Sequence, residues 1–417
     1  MSSIMNKSVG IVGGGIIGTA TALSLVRQGH KVSMIDPNKP GRAACYGNAG
    51  CLNPSSVVPV NIPGMISKVP RMILDPNSPL FLRWSYLPRL LPWIIPYLSH
   101  CRNSEALRIG EGLAALVSDS PAEHKMLSDG TTAAQYLHDT DYVVAYSNHA
   151  SFAADAYAWS LRRHFGIEWE VVEGDAYKHM EPALAHQSYV AVRLPGHGFV
   201  SDPGRYVAAL TTEFRQLGGT FIEDEVVDFV FDRDQASVTL QSGTRVDFST
   251  LVIAAGAWSG RLTKKLGLSV PLESERGYHV EFIEPSVMPT HPTLFASGKF
   301  IATPMDGRLR CAGVVEFGGL DMPPSQGPVD LIKRQVKEIF PELRYREIRT
   351  WQGHRPTLTD SLPIIGRLPD RQNVILAFGH HHVGLCSGPK TGRIVADLVA
   401  GKDPGIDLAP YRADRFR

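Results

Sequence analysis

Features that would tie this chain to particular classes of partner are largely missing. Its five cysteines (Cys45, Cys51, Cys101, Cys311, Cys386) stand at irregular spacings without a CxxC pair, so neither a disulfide framework nor a zinc site is indicated. Neither sign of charge is in excess: 42 Lys and Arg against 41 Asp and Glu give a net charge of +1, and no basic block offers a nucleic acid a surface. Low-complexity tracts, heptad runs and internal repeats are absent as well. The amino terminus, MSSIMNKS, passes straight into the apolar run Val9 to Val12 and leaves no room for a secretory signal. With unpaired thiols, that makes the cytoplasm the expected compartment. Long hydrophobic runs are lacking too. The most membrane-like stretch, Trp84 to Leu98, falls short of the roughly 20 residues a spanning helix needs, and Pro88, Pro92 and Pro96 interrupt it. It is expected to pack inside a second domain, with a peripheral patch on the inner face of a membrane as the alternative.

What is present begins near residue 9. The chain of 417 residues is long enough for two or three domains. Residues 9 to 36 read as strand, glycine turn, helix from about Ile16 to Arg27, and a second strand ending at Asp36. Gly13, Gly15 and Gly18 occupy GxGxxG positions, where missing side chains permit the turn, admit a pyrophosphate and let the helix pack closely. The helix N-terminus, at Ile16 and Ile17, would face the phosphates with unpaired N–H groups. Asp36 can accept hydrogen bonds from the adenosine ribose, and an acid there argues against a 2′-phosphate. This βαβ unit predicts a dinucleotide without choosing between NAD and FAD.

Two later segments return to the same domain. Residues 205 to 256 read as a helix, alternating strands and the buried run LVIAAGAW, which sets Ala254, Ala255 and Gly256 against a cofactor. From Trp351 onward the chain again reads as buried strand, glycine turn and amphipathic helix, so a second helix N-terminus could face the cofactor's other end.

In GNAGCLNPSSVVPV, ERGYHV, ASGKFIATPM, the GxRPxxxDSLPxIGR frame and the closing APYRADRF, the sequence resembles the FAD-dependent amine oxidoreductases. That family includes D-amino-acid oxidase and dehydrogenase, glycine oxidase, sarcosine oxidase and the similar glyphosate oxidoreductases. The resemblance covers nearly the whole chain. It implies an α/β fold: a Rossmann-like FAD-binding domain joined to an α+β substrate domain with an antiparallel sheet. It also implies non-covalent FAD held by Gly13, Gly15, Ile16, Ile17, Gly18, Asp36 and Pro37. Cys45, Gly47, Asn48, Ala49 and Gly50 would lie near the flavin ring, Val226 near the adenine, and Gly379, His381, Val383 and Gly384 at the pyrimidine edge. Two residues depart from the family pattern: Cys45 stands where a serine is usual, and His381 replaces the glycine of a GHGH turn.

Oxidising an amine beside a carboxylate requires a cation for the carboxylate, a site for the neutral amine and a C–H aimed at the flavin. Arg355 is the expected carboxylate clamp, because a planar guanidinium donates two parallel bonds. Tyr278 is expected to support the substrate, and His380 or His382 to bond flavin or substrate; packing and turn roles are the plain alternatives. A metal at His380, His381 and His382 is not expected, since successive side chains on extended backbone diverge and no acid or thiol completes a cluster. The expected reaction turns an amine into an imine, which hydrolyses to a 2-oxo acid, or to glyoxylate and an amine. D-amino acids, glycine-like amines, iminodiacetate and glyphosate all fit as substrates, and oxygen or a membrane quinone as acceptor. Two alternatives stand beside it: an NAD-dependent dehydrogenase, and a flavoprotein scaffold or sensor without turnover. The cofactor domain is expected from residues 1–60, 200–270 and 350–417, and the substrate domain from 61–199 and 271–349.

Overall fold

In a computed structural model, which describes residues 7–65, 69, 72, 75, 77–187, 189–232 and 235–416, the first apolar run forms the strand Ser8–Val12. Residues 1–6, on which part of the reading of the amino terminus rests, lie outside the described residues. Around this strand a six-stranded sheet is ordered Ile364–Leu368, Arg371–Phe378, Thr250–Ile253, Ser8–Val12, Lys31–Ile35, Thr220–Ile222. Its pairings are parallel except for the hairpin between Ile364–Leu368 and Arg371–Phe378.

Side chains of this sheet alternate between two cores. Val9, Ile11 and Val252 pack under the helices Ile16–Arg27 and Gly384–Ala400. Val12, Leu251 and Ile253 pack under a small antiparallel sheet of Val226–Phe231, Ala236–Leu240 and Arg245–Phe248. A strand covered on both faces must read as a continuous apolar run, which is why VGIV and LVIAA carry no polar alternation. The two long helices approach closely because Gly392 faces Ala20, where an added Cβ would lie 2.6 Å from the Ala20 carbonyl carbon.

A ten-stranded sheet makes the second layer system. Its main path runs Glu347–Leu358, Leu272–Ile283, Arg308–Phe317, Phe300–Met305, Thr293–Phe295, Leu137–Tyr146, Val190–Val200, Cys51–Leu52. It is mixed rather than purely antiparallel, because Thr293–Phe295 runs parallel to Leu137–Tyr146 and Leu80–Leu82 runs parallel to Arg308–Phe317. Helix Gln326–Ile339 covers one face, burying Val329, Ile332 and Val336 against Val280, Phe282 and Leu309. Along the strand Leu272–Ile283 the apolar Tyr278, Val280 and Phe282 take that covered face, while Glu275, Gly277, His279 and Glu281 take the other. These residues are buried too, and the polar ones among them are met by His381, the Gly47 carbonyl and Arg310 instead of solvent.

Position 350 falls inside the strand Glu347–Leu358, which belongs to the ten-stranded sheet throughout. Among the described residues no helix is long and apolar enough to cross a membrane, and no three His, Cys, Asp or Glu gather as a metal site.

Candidate active site

The glycine turn after Ser8–Val12 shows two kinds of glycine. Gly13 has φ 112°, and a Cβ there would lie 2.3 Å from the Ala254 carbonyl oxygen; at Gly18 it would lie 1.8 Å from the Gly13 carbonyl oxygen. Those two are demanded by packing. At Gly15 the nearest protein atom is the Ala43 Cβ, 3.7 Å away, and at Gly256 nothing lies within 4 Å. Space is therefore kept open over Gly15, above a helix whose first turn has no side-chain cap. Ile16 and Ile17 send their side chains into the core, so only their backbone N–H groups are offered there. Asp36 accepts from Gly14 N–H at 2.7 Å and from Asn38 N–H at 2.7 Å, and retains lone pairs for a ribose. Pro37 beside it is exposed. An open glycine, an uncapped helix and an anchored acid fit a dinucleotide.

The loop carrying Cys45 to Gly50 is fastened to the ten-stranded sheet. Arg310, fully buried, donates to the carbonyls of Tyr46 at 2.9 Å and Asn48 at 2.7 Å, while Glu281 accepts from its Nε at 2.9 Å. Thr303 donates to the Ala49 carbonyl at 2.8 Å, and Asn48 Oδ1 accepts from Gly50 N–H at 2.8 Å. A Cβ on Gly47 would collide with the Trp351 indole at 1.9 Å. Trp351 in turn stacks on His279, whose Nδ1 donates to the Gly47 carbonyl at 3.1 Å. Beside this stack a cavity of about 430 Å³ opens between Arg42, Tyr46, Glu281 and Arg349. Cys45 is buried, and burial pushes its thiol up to about 11, so it remains protonated.

Arg355 faces the same side of the sheet. Its guanidinium lies over Gly277, where a Cβ would stand 2.5 Å from the Arg355 Cζ. It donates to the Val314 carbonyl at 3.0 Å and is half-buried, leaving further N–H groups to give. Val314 presents that carbonyl from φ 52°, a strained conformation for a β-branched residue, next to a slip in register between Arg276 and Tyr278. Strain of this sort collects where a site overrides local preference.

The turn His381–Val383, which follows Arg371–Phe378 of the six-stranded sheet, approaches the strand that carries Arg355. His381 adopts φ 51°, and its Nε2 lies 2.9 Å from Oε2 of the buried Glu275. Burial opposes the charge on Glu275, but His381 and Arg355 outweigh it and hold the carboxyl below its ordinary pKa. His381 Nδ1 is in contact with His382 Nδ1, the two rings standing edge to face. The extended backbone expected here is thus replaced by a turn, and two of the three imidazoles touch. His382 is exposed although protein surrounds it, and burial, His381 and Arg355 drive its pKa well below the usual value. His380 points elsewhere: its Nε2 meets Thr391 Oγ1 at 3.1 Å inside the helix layer, and burial lowers it to about 3.

The structure thus brings together Arg355, His381, His382 and the loop Cys45–Gly50, with Gly379 and Gly384 flanking the turn. A Cβ on Gly379, at φ 86°, would strike Leu358 at 2.5 Å, whereas Gly384 begins a helix with no side-chain cap. Val383 is buried in the helix core, and Val226 in the core beneath the small sheet. Tyr278 is not brought into this group. It lies on the covered face of its strand, where its hydroxyl donates to Glu316 and accepts from Ser325 N–H at 3.0 Å. Glu275, Arg310 and Trp351 were not anticipated. The available signal was a charged or polar residue at alternate positions of strands otherwise apolar.

A family profile described as FAD dependent oxidoreductase matches residues 8–398. A D-amino-acid oxidase of Bradyrhizobium diazoefficiens is 35% identical across 98% of this chain and 99% of its own length. A D-amino acid dehydrogenase of Granulibacter bethesdensis is 27% identical across 97% of this chain and 99% of its own. The crystal structure of glycine oxidase from Geobacillus kaustophilus superimposes with a TM-score of 0.74 at 25% identity, covering 98% of each chain. That of iminodiacetate oxidase from Chelativorans sp. BNC1 shares the fold, with a TM-score of 0.72 at 21% identity over 97% of this chain and 98% of that one. With the profile spanning nearly the whole length and a relative this similar end to end, the chain belongs to the family of FAD-dependent oxidoreductases, and FAD is its cofactor.

Proposed function

We propose that this enzyme oxidises the carbon–nitrogen bond of a small carboxylate-bearing amine, a D-amino acid or a glycine-type secondary amine such as iminodiacetate or glyphosate. The observation that carries the reading is the turn of His381 and His382 fastened through His381 to Glu275, the residue directly cross-strand from Arg355. Gly13, Gly15, Gly18, Asp36 and the uncapped helix at Ile16 would hold the adenosine diphosphate half of FAD. The Gly47–Gly50 loop and the Gly379–Gly384 turn would hold the flavin half. When bound, FAD supplies the two-electron acceptor that takes a hydride from the carbon beside the amine. Cofactor binding is assigned to the six-stranded sheet and its helices and substrate binding to the ten-stranded sheet, so that Thr350–Leu358 joins the substrate side.

Arg355 takes the carboxylate with the N–H groups not spent on Val314. The protons of the histidine chain are assigned from Glu275 with His381 taken as the neutral imidazole. As a carboxylate it accepts from His381 Nε2–H, which leaves the His381 Nδ1 lone pair to accept from His382 Nδ1–H. His382 Nε2 is left as an acceptor, without a partner among the described residues, and takes an N–H of the substrate amine. A neutral amine suits this acceptor, and its lone pair must be free for the C–N double bond to form. Loss of hydride from the neutral amine gives an iminium ion, which releases its N–H proton to His382 Nε2 or to water to become the imine, and water splits this into a carbonyl compound and an amine or ammonia. Tyr278 and His380 are assigned structural roles, in agreement with their bonds to Glu316 and Thr391.

Nothing in the fold or the relatives favours the nicotinamide alternative. The relatives include an oxidase and a dehydrogenase, and oxygen or a membrane quinone fits as acceptor. Five unpaired, buried cysteines agree with a reducing compartment such as the cytoplasm. Incubation of the holoprotein with a D-amino acid, iminodiacetate or glyphosate, followed by identification of the carbonyl product, tests the reading: a 2-oxo acid or glyoxylate is expected. Absence of any carbonyl product from all three classes would refute it.

A further inference from the structure

Between Asn77 and Ser104 the chain contains no Asp or Glu. This segment forms a turn, Trp84–Tyr86, and the helix Leu87–Ser99. Its inner face is well partnered: Leu90, Trp93 and Tyr97 pack on Phe317, and Trp93 Nε1 donates to the Thr357 carbonyl at 3.2 Å, two residues from Arg355. Its outer face is not. The two most exposed large apolar side chains among the described residues, Ile95 at 65% and Trp84 at 62%, both lie here, with Leu91 at 45% between them. Pro88, Pro92 and Pro96 are exposed at helical spacing along the same stripe.

We propose that this face docks on the surface of an anionic lipid bilayer, with the helix lying flat at the headgroup level. Thirteen residues are too few to span. Pro92 and Pro96 have no N–H, so the carbonyls one turn before each lose their helical partner and require water or headgroups, which keeps the helix at the interface. Arg89 on the flank and Arg102 past the helix end are exposed and make no side-chain hydrogen bond or ion pair among the described residues, as anionic headgroups require. Asp321, within electrostatic reach of Arg89, is already paired with Arg261, and residues 77–104 of a second copy offer Arg89 no acid, so self-association is disfavoured. Because the inner face rests on Thr357, docking sets the Arg355 end of the sheet beside the bilayer, within reach of an apolar electron acceptor; that consequence rests on the amine-oxidation reading.

The experiment is flotation of the FAD-loaded protein with vesicles of phosphatidylcholine alone or equimolar with phosphatidylglycerol, together with quenching of Trp84 fluorescence by brominated lipid. Binding to the anionic vesicles, weakened by salt, is expected. The triple variant Trp84→Ser, Leu91→Ser, Ile95→Ser should bind about 100-fold more weakly or worse, while keeping its flavin and the reduction of that flavin by amine in solution. No binding by the unaltered protein, equal binding by the variant, equal binding to phosphatidylcholine alone, or a dimer that the variant abolishes would each overturn the proposal. Reduction of the flavin by amine in solution reads the amine reaction separately, so failure of either can be told from failure of the other.

Discussion

Arg355 donates from Nη1 to the Val314 carbonyl at 3.0 Å and, more weakly, from Nη2 to the Gly313 carbonyl at 3.5 Å, and lies against Gly277, so its position is fixed while its remaining N–H groups stay available. Replacing it with alanine removes a charge-assisted pair with the substrate carboxylate worth about 3 kcal/mol, or on the order of 100-fold in affinity. Arg355→Ala should therefore retain FAD and bind a carboxylate amine about 100-fold more weakly, measured by spectral titration; unchanged binding would remove Arg355 from the site. His382→Ala should slow flavin reduction about 100-fold with far less change in the Kd of a carboxylate analogue, since it acts on the amine and not on the carboxylate. His381→Gly restores easy access to positive φ but cuts the link to Glu275, and about a tenfold fall in the reduction rate is expected in rapid-mixing measurements. Equal rates would mean that the Glu275–His381 pair does not orient His382. At this scale Arg355 was legible because it sits in a short motif. Glu275 was not: its partner lies 106 residues away, and only the fold brings the two together.

The turn after the first strand sets glycines demanded by packing within a few residues of one that is left open. Gly18→Ala sets a methyl group against the Gly13 carbonyl oxygen and should destabilise the apoprotein by about 1–3 kcal/mol, read from its denaturant midpoint. Gly15→Ala meets no protein atom closer than 3.7 Å, so the apoprotein should keep its stability while FAD affinity falls. Equal FAD affinity in Gly15→Ala would show that the open space serves another purpose. The first strand, turn, helix and second strand were readable because apolar runs, glycine turn and terminal acid fall at fixed offsets within one local unit. The ten-stranded sheet was only partly readable. Its antiparallel hairpins announce themselves by alternation, but the parallel pairing of Thr293–Phe295 with Leu137–Tyr146 joins segments far apart and leaves no local trace. Helix Leu87–Ser99 forms despite Pro92 and Pro96 because its inner side chains pack on Phe317, a tertiary gain that propensity does not register.

Over the whole molecule, burial determines how stability responds to acid. Burial holds His124, His197, His279 and His354 each at about 4 and His380 at about 3, against an ordinary 6.5. As pH falls below the ordinary value the unfolded chain takes up protons that the folded chain refuses until near 4, so the unfolded state gains and stability is lost across that window. The melting temperature should be lower by about 5 °C or more near pH 5 than near pH 7. A flat profile would mean that these rings are not buried neutral. The central claim concerns the junction of the two sheets, where an amine carboxylate meets FAD. It is tested most directly by the visible spectrum of the yellow holoprotein, titrated without oxygen against D-amino acids, glycine, sarcosine, iminodiacetate and glyphosate. Bleaching of the flavin band by at least one of these, lost in Arg355→Ala at the same concentration, is the expected result. A flavin that none of them bleaches, or a protein that cannot be loaded with FAD, would contradict it.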